Sequence, residues 1–583
     1  MEKLQLFLQL NPHEEPRLGI CLDPAWLEFS QKERSYIYIL TPSLPADQLI
    51  IYYQRGCQSL SHWKYLWKRL PWPQVALYLI QRQLQLKYLG FPLSLAEISS
   101  TQWRLDIEQR QQLFNDLNQL LAGHLLPTKA ILQEMRQQGW WPADTLRGLA
   151  TSFASGFYQL LPGIVYKPWG ELRCNRCNST DVAERFCLEC GRVNCPVCLS
   201  CEALGAIRGC TCLWYIADQK QVERILSIKL EKPPKLTLKY SLTPAQQHAS
   251  QRLIDFLDSE QQQIQVWAAC GAGKTEVTFG AIQRILTRGE QVLFAIPRRD
   301  IVQELAERLR QAFPDTTIAA HYGGQPWRQP GQLVIATTHQ ALRFYHRFGL
   351  VVLDEVDAFP YDGSEELRFA VERARKPDGK LIEMTATPKK LSKNLITIPA
   401  RHHGYPLPEP RLYKLKLPPL AALGQTSLPS EVAAIIQRNS APWLVFAPTV
   451  ASVQQIAQLL SIMLDRSVCG SWAADPLRDQ KRHEFISGNY QVLVATSIME
   501  RGITISNVQV MVLYADHHVF DVNSLVQMAG RVGRKAEHPE GEVWFIAEKI
   551  SEPMKLAQER IRYLNQQAHA QGLLRERCFH VAD

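Results

Sequence analysis

From residue 245 to about 400, short apolar runs alternate with amphipathic stretches, and the same alternation returns from about 430 to 550. The first set of runs is IQVWAA, QVLFAI, LVIATT, LVVLDE and KLIEMTA, separated by segments such as EVTFGAIQRIL. The second set is WLVFAPT, RSVCGSW, QVLVATS and VQVMVLYA. Runs that are apolar at nearly every position suit strands covered on both faces, and connections of helical length suit parallel crossovers. The pattern predicts an α/β fold with two successive parallel-sheet lobes.

At roughly 150 residues per domain, 583 residues allow about four units. The boundaries read from texture are a mainly helical N-terminal region (1–165), a cysteine-rich module (170–213), a first lobe (235–405), a second lobe (425–550) and a helical tail (551–583). Helical periodicity in the N-terminal region covers Leu89–Leu126 and resumes at Thr128 with KAILQEM. Prolines mark EKPPKLTLKYSLTP (231–244) as an extended linker, and a Pro-rich stretch from Tyr405 to Pro429 joins the lobes. The 21% of charged residues and 46% of hydrophobic ones exclude disorder over most of the length. The net charge of +9 permits a polyanionic partner without requiring one. Apolar runs are too short for a transmembrane helix, and MEKLQLFLQLNPHEE does not read as a secretory signal, so a cytoplasmic location is expected.

The chemistry begins at AACGAGKT (268–275), between an apolar run and an amphipathic helix. Gly271 and Gly273 allow a tight turn whose N–H groups, with that of Ala272, face phosphate oxygens at a helix N-terminus. Lys274 supplies a point charge for the β- and γ-phosphates, and the Thr275 hydroxyl can ligate Mg²⁺. Ala268 stands where the strict motif has its first glycine. Eighty residues on, GLVVLDEVD ends a strand; Asp354 can hold Mg²⁺ through water, and Glu355 can orient or deprotonate the attacking water. In the second lobe QMAGRVGR (527–534) is expected on a helix, with Arg531 and Arg534 sharing a face and reaching a nucleotide across a cleft. MTATP (384–388) offers Thr385 and Thr387 near the acidic turn, and VLVATSIMERGITI (492–505) carries Thr496, Glu500, Arg501 and Gly502 on a loop.

LTPAQ, AACGAGKT, DEVD, TAT, VATSIMERG and QMAGRVGR occur in that order over about 240–550, and there the chain resembles the superfamily 2 helicase-like ATPases. The resemblance implies two RecA-like lobes closing on ATP and Mg²⁺. Gln246 would read the adenine, and the nucleotide site would comprise Gln246, Gly271, Ala272, Gly273, Lys274, Thr275, Asp354 and Gly502. Lys274, Asp354, Glu355, Arg531 and Arg534 would be catalytic, and Thr385 and Thr387 would couple hydrolysis to DNA. Contacts to single-stranded DNA would run largely to phosphate. They are expected at Arg298 and Arg299, at Thr338, His339, Gln340 and Arg343 of TTHQALRF, and at Thr449, Thr496 and Arg501, all at strand C-termini. Tyr240 would either stack on the base or pack on the lobe.

Nine of the fourteen cysteines lie between Cys174 and Cys212. C-x₂-C spacing at 174/177, 187/190, 195/198 and 198/201 suits Zn²⁺ held tetrahedrally by thiolates, and thiolates also hold iron–sulfur clusters. With Cys210 and Cys212 the set can hold two zincs. In an interleaved arrangement the first and third pairs share one ion, and Cys187 and Cys190 share another with two of Cys201, Cys210 and Cys212. In a hairpin arrangement the first two pairs meet. Arg173, Arg176 and Arg192 suggest a surface facing nucleic acid or a partner.

A cysteine module directly ahead of a helicase-like core containing IPRRD, DEVDAFP and QMAGRVGR is similar to the ComFA family of late-competence ATPases. That resemblance suggests that Cys174, Cys177, Cys195 and Cys198 form the main zinc site. It implies an ATP-driven motor on single-stranded DNA that draws transforming DNA through a membrane channel. Its partners would be competence proteins and that channel, with peripheral attachment to the inner face of the cytoplasmic membrane and homo-oligomerisation left open. The alternative is a PriA-like replication-restart helicase, but there the cysteines interrupt the second half of the motor, whereas here all nine precede the phosphate loop.

Overall fold

The computed structural model describes residues 5–10, 17–21, 36–39, 91–93, 105–154, 156–166, 171–187, 193–227, 233–323, 331–496 and 505–575. Strands β1 (Gln5–Leu10), β2 (Arg17–Cys21), β3 (Tyr36–Ile39) and β4 (Phe91–Leu93) form an antiparallel sheet in the order β2-β1-β3-β4. The expected helices follow at Ile107–Leu121, Thr128–Gln137 and Pro142–Ala154. Among the described residues of 1–165, a sheet precedes these helices; Leu89 lies outside the described residues, and Phe91–Leu93 of that expected helical stretch form β4. Alternation in QLFLQL was the available signal for β1.

The cysteine module and the chain just before it contribute short strands: β5 (Leu126–Pro127), β6 (Gln159–Pro162), β7 (Ile164–Tyr166), β8 (Leu172–Cys174), β9 (Val182–Arg185), β10 (Cys195–Cys198) and β11 (Cys212–Tyr215). β11 lies between β5 and β6, β7 pairs with β8, and β9 pairs with β10, all antiparallel.

The first lobe is a seven-stranded parallel sheet of β12 (Gln263–Ala268), β13 (Val292–Ile296), β14 (Ile318–His321), β15 (Leu333–Thr337), β16 (Phe348–Asp354), β17 (Arg375–Thr385) and β18 (Leu395–Ile398). Its order is β14-β15-β13-β16-β17-β12-β18. β13, β15 and β16 are buried at every residue, as expected for apolar strands covered on both faces. The second lobe orders β19 (Arg411–Lys414), β20 (Trp443–Phe446), β21 (Val468–Ser471), β22 (Val492–Ala495), β23 (Gln509–Leu513) and β24 (Val543–Ala547) as β19-β24-β23-β20-β22-β21, again all parallel.

Two connections differ from expectation. β19 lies inside the Pro-rich stretch and belongs to the second sheet, so the chain crosses between lobes sooner than Pro429. The 233–243 segment is extended as expected but clipped to the first lobe, with Thr237 N–H donating to Ala312 O (2.8 Å) and Gln283 Nε2 to Pro234 O (2.9 Å). The tail forms helix Glu552–Ala570, whose Met554, Ala557, Ile561 and Leu564 join a core cluster shared by both lobes.

The cysteine module is continuous with the first lobe. Cys174, Cys177, Cys198 and Cys201 share one apolar cluster with Phe344, Phe348 and Ala370. The buried Arg373 guanidinium donates to the carbonyls of Asn175 and Arg176 in the module, and to those of Leu342 and Phe344 in the lobe. Gly123 and Leu125 add backbone hydrogen bonds to Tyr345 and Arg343, each of 2.9 Å.

Candidate functional site

The strand order assembles the site. β12, β17 and β16 are neighbours, so the phosphate loop, the TAT segment and the acidic turn leave the sheet side by side. Trp267 is paired with Thr385, and Met384 with Asp354. Three segments spread over about a hundred residues therefore converge at strand C-termini, where α/β sheets bind ligands.

After β12 the chain turns through Gly271 (φ 85°) and Gly273 (φ 70°), left-handed conformations that favour glycine. A helix then starts at Lys274. Lys274 Nζ lies 2.6 Å from Asp354 Oδ1. Burial would lower the lysine pKa, but the charges of Asp354 and Glu355 outweigh it and hold Lys274 above its ordinary value. Glu355 has φ 55°, an uncommon conformation for a side chain of this size, of the kind that concentrates at functional sites. Its N–H donates to Asp354 Oδ1 at 2.7 Å. Thr275, beside Lys274, is buried. A lysine, a hydroxyl, two adjacent carboxylates and a glycine turn at a helix start make up the donor set that a Mg²⁺–triphosphate needs.

Gln246 occupies the third position of helix Pro244–Leu257 in a capping box with Thr243. Its Oε1 accepts from Thr243 N–H (2.8 Å), and its Nε2 donates to Ala272 O (2.8 Å). The side chain braces the phosphate loop, and a Cβ on Gly273 would come within 2.5 Å of Nε2.

The second lobe meets this loop directly. Helix Val522–Ala529 stops at Gly530, and Gly533 (φ 67°) turns the chain, so Arg531 and Arg534 sit on the turn after the helix and share no helical face. The two glycines explain the difference: a Cβ on Gly530 would lie 2.5 Å from Cys270 Cβ, and one on Gly533 would lie 2.1 Å from Pro539 O. Arg531 is only 3% exposed. Arg534 bonds Gly530 O through Nε (3.1 Å); burial lowers its pKa, and the nearby Cys270 and Glu355 oppose that. Glu355 of the acidic turn in the first lobe is thus one of the charges that act on Arg534. Arg501 and Gly502 lie outside the described residues.

The cysteines form two groups. The sulfurs of Cys174, Cys177, Cys198 and Cys201 lie within 4.8 Å of one another, and so do those of Cys187, Cys195 and Cys210. Contacts of 3.7 Å (Cys174–Cys201), 3.5 Å (Cys177–Cys198) and 3.7 Å (Cys187–Cys210) match the edge of a tetrahedron with Zn–S of about 2.3 Å, which is about 3.8 Å. The described cysteines form no disulfide. The arrangement is interleaved, but Cys201 replaces Cys195 in the first group. Cys195 and Cys198 lie on β10, and residues three apart on a strand point to opposite faces. The turn after β10 brings Cys201 back beside Cys198. Cys190 lies outside the described residues, and Cys212 belongs to neither group.

Residues 239–390 match the family described as "Type III restriction enzyme, res subunit", and residues 428–536 match "Helicase conserved C-terminal domain". Competence protein ComFA of Bacillus subtilis (strain 168) is 35% identical over 413 residues, covering 68% of this chain and 86% of that protein. Competence protein ComFA of Streptococcus pneumoniae (strain ATCC BAA-255 / R6) is 33% identical over 417 residues, covering 69% and 92%. The chain belongs to the ComFA family. Among solved structures, S. cerevisiae Dbp5 bound to RNA and ADP BeF3 is similar with a TM-score of 0.39 and 18% identity, over 56% of this chain and 92% of that one.

Within this ComFA-family fold, several residues expected at DNA stand elsewhere. Thr338 and Gln340 are buried, and Arg343 donates to Gln340 Oε1 (2.9 Å), because 338–343 is a short 3₁₀ helix packed under helix Glu365–Ala374 and the cysteine module. His339 is partly buried. Thr385 and Thr387, expected to couple hydrolysis to DNA from beside the acidic turn, are fully buried and donate to Asp357 Oδ1 (2.7 Å) and Oδ2 (2.6 Å) of that turn. Asp357 was missed as a site residue; the third acid of DEVD was its only signal. Arg298, Arg299, Thr449 and Thr496 keep exposed or partly exposed positions at strand ends. Arg299 lies over the Tyr322 ring (5.1 Å), and Thr449 caps helix Val450–Met463. Tyr240 is 75% exposed and therefore does not pack on the lobe. Arg176 is buried, with Nε 3.3 Å from Cys201 Sγ and Nη2 on the carbonyls of Cys201 and Gly205, so it supports the knuckle and offers no surface. Arg192 lies outside the described residues. No described helix is long and apolar enough to cross a membrane.

Proposed function

We propose that this ComFA-family chain is a DNA-dependent ATPase that moves along single-stranded DNA and drives uptake of transforming DNA across the cytoplasmic membrane. The observation that carries the reading is the pairing of Lys274 with Asp354 at 2.6 Å beneath an arginine turn from the other lobe. Lys274 and the N–H groups of Gly271, Ala272 and Gly273 would hold the β- and γ-phosphates of ATP, and Thr275 and Asp354 would hold Mg²⁺. Bound Mg²⁺ would supply charge neutralisation at the transferred phosphoryl group. Glu355 would orient the attacking water, and Arg534 would add positive charge from the second lobe, with Arg531 supporting the turn. Gly502, Arg501 and Thr496 would complete the second-lobe border of the site. Arg298, Arg299 and Thr449 remain the surface candidates for phosphate contacts along the strand.

Two Zn²⁺ ions would staple the cysteine module: one on Cys174, Cys177, Cys198 and Cys201, the other on Cys187, Cys195 and Cys210 with Cys190 as its fourth ligand. Both would be structural, since four thiolates leave no open coordination position. By family relation, the partners are other competence proteins and the membrane DNA channel, reached by peripheral attachment at the inner face. A homo-oligomer fits the same reading.

The test compares ATP hydrolysis by the purified chain with single-stranded, duplex and forked DNA. Preferential stimulation by single strands supports uptake, whereas preference for forks favours replication restart, and no stimulation by any DNA contradicts the motor reading.

A further inference from the structure

The chain leaving β18 reads Ala400-Arg401-His402-His403-Gly404 and passes between the lobes. Arg401 is only 2% exposed. Its Nε donates to Cys270 O at 3.0 Å, Nη1 to Gly533 O at 2.6 Å and Nη2 to Gly530 O at 3.4 Å. Cys270 belongs to the phosphate loop of the first lobe, and Gly530 and Gly533 belong to the turn that carries Arg531 and Arg534. One planar cation therefore bridges the two loops that border the nucleotide site. The next two residues repeat the bridge: His402 Nδ1 lies 3.1 Å from Gly271 O, and His403 Nε2 lies 3.0 Å from Gly533 O.

A guanidinium holds its N–H groups in a rigid fork, so three carbonyls can meet it together only when the loops stand at one separation and angle. The glycines at these positions tighten that condition. A Cβ on Gly533 would come within 2.8 Å of Arg401 Nη1, and a Cβ on Gly530 would strike Cys270. Burial lowers the Arg401 pKa to about 10, which leaves it a cation at neutral pH. All three acceptors lie on loops, outside the lobe cores, so losing the bonds should disturb loop register far more than either lobe's fold.

We propose that Arg401 is a positioning residue that registers the arginine turn of the second lobe on the phosphate loop, so that Arg534 reaches the nucleotide only when Cys270, Gly530 and Gly533 converge on its guanidinium. This rests on the ATPase reading above and adds a residue outside all six motifs.

The experiment uses the full chain and its Arg401→Ala, Arg401→Lys, Arg534→Ala and Arg401→Ala/Arg534→Ala variants. Steady-state ATP hydrolysis is measured with a saturating single-stranded oligonucleotide, and nucleotide binding with a fluorescent ATP analogue. Arg401→Ala should lower kcat by roughly 10- to 100-fold, as for a misplaced catalytic group. Nucleotide Kd should stay within about threefold, since the interaction lost acts in the transition state. Arg401→Lys should fail to restore kcat, because one ammonium cannot meet three carbonyls in a plane, while its retained nucleotide Kd guards against a variant that simply misfolds. The double variant should be no slower than Arg534→Ala alone. Multiplying effects, an unchanged kcat in Arg401→Ala, or a Kd that rises as much as kcat falls would each overturn the proposal. A wild-type chain that hydrolyses no ATP would overturn the ATPase reading and this one with it. Wild-type hydrolysis lost in Arg534→Ala but kept in Arg401→Ala would overturn this inference alone.

Discussion

Thr385 donates its hydroxyl to Asp357 at 2.7 Å, joining the strand beside the phosphate loop to the turn that carries Asp354 and Glu355. Both residues are buried. Thr385→Val would leave a carboxylate oxygen without that donor, at a cost of about 1–3 kcal/mol. We predict a urea midpoint lowered in keeping with that loss of stability, and a loss of DNA stimulation that exceeds any loss of ATP affinity. An unchanged midpoint together with full stimulation would show that the link carries nothing.

The cysteine geometry predicts separate effects for two neighbours on one strand. Wild-type protein should release about two zincs per chain. Cys198→Ser should disrupt one site and Cys195→Ser the other, leaving about one zinc in each case. If both substitutions empty the same site and their double variant still holds one ion, Cys195 and Cys198 are co-ligands and the assignment is wrong.

This strand also shows what was legible in the sequence and what was not. Spacing alone made 195/198 and 198/201 equivalent pairs, because C-x₂-C signals a knuckle only where the backbone turns. Whether a strand runs through it is decided by pairing with β9, a tertiary fact. Most interior strands were readable from their apolar runs, though interior β24 was not singled out; edge strand β21 was read, whereas edge strands β14, β18 and β19 were not, being short. The phosphate loop and acidic turn were readable because their chemistry is local. Arg401 was not, because its partners are carbonyls more than a hundred residues away in each direction. For Arg531 and Arg534 the helix was extended too far, through Gly530, whose place in the fold is a close approach to Cys270 of the other lobe.

Arg373 ties the cysteine module to the first lobe through four carbonyls. Arg373→Met keeps the stem but leaves those carbonyls without the cation, which should destabilise the junction by about 1–3 kcal/mol. Limited proteolysis should then cut between the module and the lobe faster than in wild type. Equal cleavage rates would mean that the apolar cluster alone holds the two together.

Where the N-terminal helices meet the first lobe, Arg347 Nη1 lies 2.9 Å from His124 Nε2. Burial, with the Arg347 and Arg343 charges facing them, pushes His124 well below its usual range and His321 down to about 3. Both stay neutral in the fold, while the unfolded chain binds protons below about pH 6.5. Their folded pKa values are depressed, so stability is retained above that pH and lost as pH falls below it. The urea midpoint should be lower at pH 5.5 than at 7.5, and His124→Asn should shrink the difference. A midpoint independent of pH across that window would count against it.

The central claim is that Lys274 and Arg534, from opposite lobes, serve one hydrolytic site. Its most direct measurement is steady-state ATP hydrolysis with saturating single-stranded DNA for wild type, Lys274→Ala and Arg534→Ala. Wild type should hydrolyse ATP faster with DNA than without, and each variant should lose roughly 100-fold or more in kcat. A rate that DNA does not change, or one that either substitution leaves intact, would contradict the account.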